Sequence, residues 1–581
     1  MIASRAETAR RVACLSLVAC LAFIAMAQAS SIASEPVAGL GTRPSAAAAV
    51  EGRNRVDIEV DPLTVVDADS SGVLTVEQGG LGPALWQGTD RALVDALLPR
   101  LPVAAGSPAM RDLMRRLLLS AAAVPAGEAV PGRLAALRAN ALLAMGDFGG
   151  VEALLAATAM RAAEPELARI RIDARLLAGD HAGACAVAGE RFSEDASVLW
   201  QKVLIFCQSM AGDHDKAGLG VALLTEMGER DPVFASLVAA LAGDEARIDA
   251  LPAPTPLSLA MARAAKVGLP EDVAATDDLA VLRAIAVSPN APFAVRLAAA
   301  DRAQAGGALD ASVLRQLYEA VDESAVARGH SRSGDGDDPA VGRAMLYRAA
   351  AAAPTPQARG EAIARALRTG RAQGRHAATA FVYLPLLRET APSPETVDLA
   401  GEAIPALLVV GEPQAAERWL ASLSAAADDD RRAAAQRVAV MPLARLAWAA
   451  EWEGWDPADF AAWWSSIRDG DGAVRRATRM FTLLEATGVE VPPSLWEPLL
   501  LAGSAEARAV VPAPALLHRL ARSAAAGRVG ETILLSLLAL GSDGPAAADP
   551  LTLDSVMSSL TTVGFEREAR AIAIESAAAM Q

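Results

Sequence analysis

Four Gly-Asp pairs constrain this chain more than anything else in it. They stand at Gly146-Asp147, Gly179-Asp180, Gly212-Asp213 and Gly243-Asp244, so the glycines fall 33, 33 and 31 residues apart. The pattern is plain in "LLAGDHAGACAV" over 176–187, where an apolar run stops at the pair and resumes at once. A fixed period in the thirties predicts stacked helical hairpins. Each glycine can end one helix in the left-handed conformation. Each following Asp can accept from the first free amides of the next helix. Related turns stand at Gly306-Gly307, Gly411-Glu412 and Gly564-Phe565. An alanine follows five residues after the glycine at Ala184, Ala217, Ala311, Ala416 and Ala569, where a small side chain lets the second helix come close to the first.

Composition points the same way. Hydrophobic residues make up 53% of the 581 but aromatics only 4%. Alanine supplies much of the difference, and it forms helices well and strands poorly. No segment alternates convincingly with period two. The expected fold is all-α, with antiparallel hairpins stacked into an α-solenoid behind an irregular N-terminal segment.

The G-D-(aromatic)-x-x-A turn and its period resemble the tetratricopeptide repeat. The resemblance is clear over about residues 130–250 and patchy elsewhere. The large aromatic and glycine positions of that family's first helix hold Ala, Ile, Arg or Gln here, and no closing proline recurs. The repeat is therefore degenerate, and what it implies is a helical-repeat fold.

The N-terminus reads as an address. Arg5, Arg10 and Arg11 precede an apolar run from Val12 to Met26, and Ala27-Gln28-Ala29 forms a small-x-small site before Ser30. This is the pattern of a secretory signal peptide over 1–29. Leu17-Val18-Ala19-Cys20 also fits a lipobox, so a lipid anchor on Cys20 is the alternative, with an uncleaved anchor as a third reading. Charges interrupt every later apolar stretch, so no further membrane span is expected. Cys14 and Cys20 lie within the leader, which leaves Cys185 and Cys207 for a disulfide in an exported, oxidising setting. Cys185 lies six residues after Gly179 and Cys207 five before Gly212, so the two can face each other across adjacent helices if their connection is tight.

Beyond the leader, residues 30–88 read as disordered or irregular. A first helical array covers 89–326, with Thr89 capping its opening helix and Ser107-Pro108 opening the next. "ARGHSRSGDGDDPAVG", 327–342, reads as a mobile loop or hinge, and a second array covers 343–581. Within the second array Asp428 is a plausible N-cap for the helix leading to Trp452.

Three clusters carry possible chemistry. In "DADSSGVLTVEQ", Asp67, Asp69, Ser71 and Gly72 match the first half of a calcium loop, but Gln78 stands where the bidentate carboxylate belongs. The favoured reading is a capped turn, with Asp67, Asp69 and Ser71 as the weak metal candidates. His181 and His214 occupy equivalent places beside Asp180 and Asp213; a bridging metal wants four ligands, and both aspartates are wanted as caps. Trp448, Trp452 and Trp455 share one helical face, and Trp463 and Trp464 follow, so five of nine tryptophans fall in 17 residues. They suit either an aromatic core or a binding surface.

No metalloprotease, serine-hydrolase, nucleotide-loop or paired-CxxC motif occurs, and five histidines leave little for acid–base work. The net charge of −16, without a basic cluster, disfavours nucleic acid. No cofactor is expected. The sequence supports a non-catalytic periplasmic scaffold that binds envelope proteins through its repeat surface. The alternative is a cell-wall enzyme accessory, or a glycan- or peptide-binding protein, working through 448–464.

Overall fold

The repeat turns all close in one way. In the computed structural model Gly179 takes φ +80°. Its N–H bonds to the Leu176 carbonyl at 3.1 Å, and Asp180 N–H reaches back to the Arg175 carbonyl at 2.8 Å. This double bond pattern satisfies carbonyls that a helix end leaves open, and it needs a left-handed residue at the glycine. The same two bonds and a positive φ recur at Gly146, Gly212, Gly243, Gly411 and Gly564. Asp147 and Asp180 then cap the next helix, accepting from Gly150 N–H at 2.8 Å and Gly183 N–H at 2.9 Å. Asp213 makes no such cap and instead pairs with Lys216.

The structure describes residues 67–158, 165–191, 195, 197–321, 339–448, 457–501 and 511–580. Among them are 27 α-helices, a few short 3-10 turns and no strand, so the fold is all-α.

Several expected details change. At Gly306-Gly307 the left-handed residue is Gly307, at φ +71°, while Gly306 is right-handed. That shifts the count, and Ala311 is only partly buried, whereas Ala184, Ala217, Ala416 and Ala569 are sealed in the core. Gly243 ends the helix Pro232–Leu241, but residues 245–255 are not helical and the next helix is Pro256–Ala264. Asp90, not Thr89, caps Arg91–Leu97, accepting from Ala92 N–H at 2.8 Å. Asp430, not Asp428, receives the first amide of Arg431–Trp448, from Arg432 at 2.7 Å. Residues 339–342 of the expected hinge already belong to the helix Pro339–Ala351, and its preceding part lies outside the described residues. Two further turns, at Gly374 and Gly527, close identically with Arg in the Asp position.

Residues 65–581 form one unit, because distant segments pack together. The helix Pro108–Leu119 lies against both Val529–Leu540 and Glu566–Ala578 near the chain's other end. Pro256–Ala264 returns to pack on Pro165–Ala178. On either side of 322–338 the halves are joined at Asp301, whose carboxylate pairs with Arg343 at 2.6 Å and Arg375 at 3.0 Å and accepts from Tyr318 Oη at 3.0 Å. These contacts go beyond stacking in which each repeat touches only its neighbours.

Arginine does much of the joining. Arg138 is fully buried and donates to the carbonyls of Leu118 and Ser71, both at 2.6 Å, and of Ser120 at 2.9 Å. Arg302 spans Ala274 and Thr276 carbonyls at 2.7 and 2.6 Å. Arg111 reaches the Gly306 and Gly307 carbonyls, and Arg283 that of Gly146, so turns are held by side chains from distant helices. A guanidinium carries five donors in a planar fork, which lets one side chain satisfy several carbonyls where an ammonium has a single point of charge. The near absence of lysine, present only at 202, 216 and 266, has a structural use here.

Candidate functional site

Helices His181–Arg191, Val198–Met210, His214–Glu226 and Pro232–Leu241 pack in succession, the first also against Pro165–Ala178 and the last against Pro256–Ala264. Cys185 and Cys207 join the first two through a disulfide with Cα atoms 5.6 Å apart. Trp200, Val203 and Phe206 form the buried side of the second helix, and His181 packs edge-on against Phe206 with ring centroids 5.5 Å apart. Lys202 fixes the connection into the fourth helix, donating to Glu229 at 2.7 Å and Asp231 at 2.9 Å.

The third helix of this group buries only Ala217 and Leu224. Its glycines weaken it as a helix, but Gly220 lets it approach Ile205, since a Cβ there would lie 2.6 Å from the Ile205 side chain. Three of the larger apolar residues along it face outward. Leu219, Leu223 and Met227 are 62%, 50% and 62% exposed, at i, i+4 and i+8, so they form one stripe. Met210, on the same hairpin, is also exposed. Apolar groups gathered in this way leave the solvent only when another surface covers them.

A second feature is a cavity of about 600 Å³ where three distant segments meet, lined among others by Ser107, Arg371, Arg375, His376, Asp543 and Glu575. Glu575 accepts from Ser107 Oγ and, at 2.6 Å, from Ala109 N–H, so a carboxylate from the last helix caps Pro108–Leu119. Burial pushes its carboxyl up to about 7, against those two bonds. Arg371 and Arg375 are already committed to Glu402 and Asp301. His376 is depressed to about 3 by burial and then by Arg371, with the Pro405 carbonyl opposing. Neither of its ring nitrogens is exposed to the cavity or makes a hydrogen bond of good geometry. The junction therefore offers binding room and a structural latch, with its two arginines engaged by carboxylates outside the lining and Glu575 engaged by Ser107 and Ala109.

The residues singled out from sequence fall as follows. Asp67 caps a short 3-10 turn through Asp69 N–H at 3.0 Å. Asp69 is buried, pairs with Arg91 at 2.9 Å and accepts from Ala135 N–H at 2.8 Å, so its carboxylate is engaged in the core. Ser71 lends its carbonyl to Arg138. His181 is half-buried and held below the usual imidazole range by burial and then Arg263, with Asp180 opposing, whereas His214 is exposed. Among the described residues no group of three or more His, Cys, Asp or Glu side chains could hold a metal ion.

The tryptophans separate. Trp463 is 5% exposed and packs on Phe481 at 5.7 Å between centroids, in a cluster with Phe460 and Trp496. It belongs to the core and not to a binding surface, because the neighbouring helix Ala473–Ala486 brings Phe481 against it. Trp464 and Trp448 are partly buried, and Trp452 and Trp455 lie outside the described residues. The stripe at 219–227 was not singled out from the sequence; its signal is "AGLGVALLTEM", which holds more apolar residues than one face can bury, and only the packing shows which side stays open.

Compared with protein-family models, curated proteins and solved structures, the chain gives no significant match. No helix among the described residues is long and apolar enough to cross a membrane.

Proposed function

We propose that this chain is a non-catalytic adaptor of the periplasm, built on degenerate tetratricopeptide-like hairpins and delivered by the N-terminal signal. The observation that carries the reading is the exposed stripe Leu219, Leu223, Met227 on a helix that buries only two of its own residues. Each such side chain, half exposed or a little more, forgoes roughly 1–2 kcal/mol of burial, and a partner surface recovers it. The Cys185–Cys207 bridge supports an oxidising compartment, where such bonds persist.

The test is site-specific photo-crosslinking in envelope preparations. A crosslinking residue at 223 or 227 should give discrete adducts. The same residue at Leu551, which is 76% exposed but stands apart from the stripe, should not. Adducts of equal yield at all three positions, or at none, refute the adaptor surface. Intact mass of the exported protein checks the address separately: the mature chain should begin near Ser30, and an acylated Cys20 or a retained Met1 would contradict it.

A further inference from the structure

We infer that the stripe receives a short amphipathic helix of a partner protein whose apolar side is bordered by Lys or Arg. The inference rests on the adaptor reading and adds the chemistry of the partner. Leu219 to Met227 is eight residue steps, or about 12 Å at 1.5 Å per residue. That length suits two to three turns of a docked helix, read as i, i+4 anchors in a shallow apolar face.

Charge narrows the choice. Asp215 and Glu226, both exposed, lie eleven residues apart, three turns along nearly the same line of the helix, and they border the stripe on one edge, Asp215 before its Leu219 end and Glu226 beside its Met227 end. Lys216, one turn before the stripe, is held by Asp213 at 2.8 Å. Arg230 lies beyond the helix end, and His214 is at its start. The free charge along the stripe is thus acidic at both ends of one edge. Complementary charge selects partners and orients them.

The same observations weigh against other occupants. The stripe offers on the order of 300 Å² of apolar surface, well short of the ~800 Å² each partner contributes to a standard interface. A second copy of this chain would add like-charged edges to a small contact. An anionic lipid surface attracts basic borders, not Asp215 and Glu226.

The test uses two synthetic 18-residue helices with the same leucine stripe, one flanked by lysines and one by glutamates, measured by fluorescence anisotropy against the full-length mature protein. The lysine-flanked peptide should bind the wild type at least ~10-fold more tightly than the glutamate-flanked one. Leu219→Ser with Leu223→Ser, both at exposed positions, should weaken it by at least ~10-fold. Asp215→Lys with Glu226→Lys should reverse the preference. Equal binding of the two peptides, an unchanged preference after the charge reversal, binding of phosphatidylglycerol vesicles lost in the Leu→Ser variant, or stripe-dependent dimers without peptide would each overturn the inference. If position 223 still crosslinks in the envelope while charge reversal has no effect, only the partner chemistry fails. If crosslinking fails as well, the adaptor reading fails with it.

Discussion

Removing the disulfide should loosen one region and spare the rest. Cys185 and Cys207 are separated by 22 residues. For a closed loop of that size the chain-entropy model gives a stabilisation of ~3 kcal/mol. Both cysteines are only half-buried, so alanine at each opens no sealed cavity and adds little further cost. A loss of ~3 kcal/mol corresponds to about two decades in an opening equilibrium. The double variant Cys185→Ala, Cys207→Ala should therefore raise amide exchange in peptides covering 181–191 and 198–226 by ~100-fold. Peptides from 529–540 and 566–578, which contact neither cysteine's helix, should not change. Hydrogen–deuterium exchange with mass readout under native conditions measures both. Exchange within about threefold of wild type over 181–226 would show that helix packing alone holds this region and that the loop-entropy argument is wrong here.

Other consequences follow from the buried charges. Glu575 keeps its proton in the folded chain up to about pH 7, while the unfolded chain releases it near 4.5. Stability should fall as pH rises across that window, by on the order of 3 kcal/mol, and level off above it. Asp173, raised to about 6 by burial, adds a change of the same sign, so the comparison of wild type with Glu575→Gln isolates the latch. The variant should show a flatter Tm profile between pH 4.5 and 7; a parallel profile would sink the assignment. Asp69→Ala leaves the Ala135 N–H without its partner and Arg91 with Asp95 alone, and should cost ~1–3 kcal/mol, read by urea titration. A specific protease site inserted at 332 should yield two fragments that co-elute on gel filtration, because Asp301 and the helix Pro108–Leu119 tie them together; separation without denaturant would disprove that linkage.

What the sequence makes legible is local. The turns at Gly146, Gly179 and Gly212 announce themselves because the left-handed glycine and the capping Asp act within a few residues of one another. Cys185 and Cys207 stand at comparable distances from their turns, which is enough to suggest a pairing. The Gly307 register was missed because two adjacent glycines can each take the one left-handed position, and the spacing alone does not choose between them. Trp463 illustrates a different gap: helical spacing places aromatics on one face but does not say whether Phe481 covers that face. Long-range links leave no periodic trace at all. Nothing in the order of residues marks Glu575 as the cap for Ser107, or Arg283 as the partner of the Gly146 carbonyl.

The contact between Glu575 and Ser107 spans 468 positions of chain. A purely nearest-neighbour array can add one repeat at a time as it emerges from the ribosome or a translocation channel. This protein cannot complete itself that way. Its second major helix is capped locally by Ser107, but the Ala109 N–H has no partner and part of the helix's apolar face has no cover until Glu566–Ala578 has been delivered. Contacts of such sequence separation slow folding, since the loop entropy must be spent before the contact forms. The helix Pro108–Leu119 must therefore wait, partly open, for Glu566–Ala578, and a protease that removes that late helix takes away the early helix's support as well.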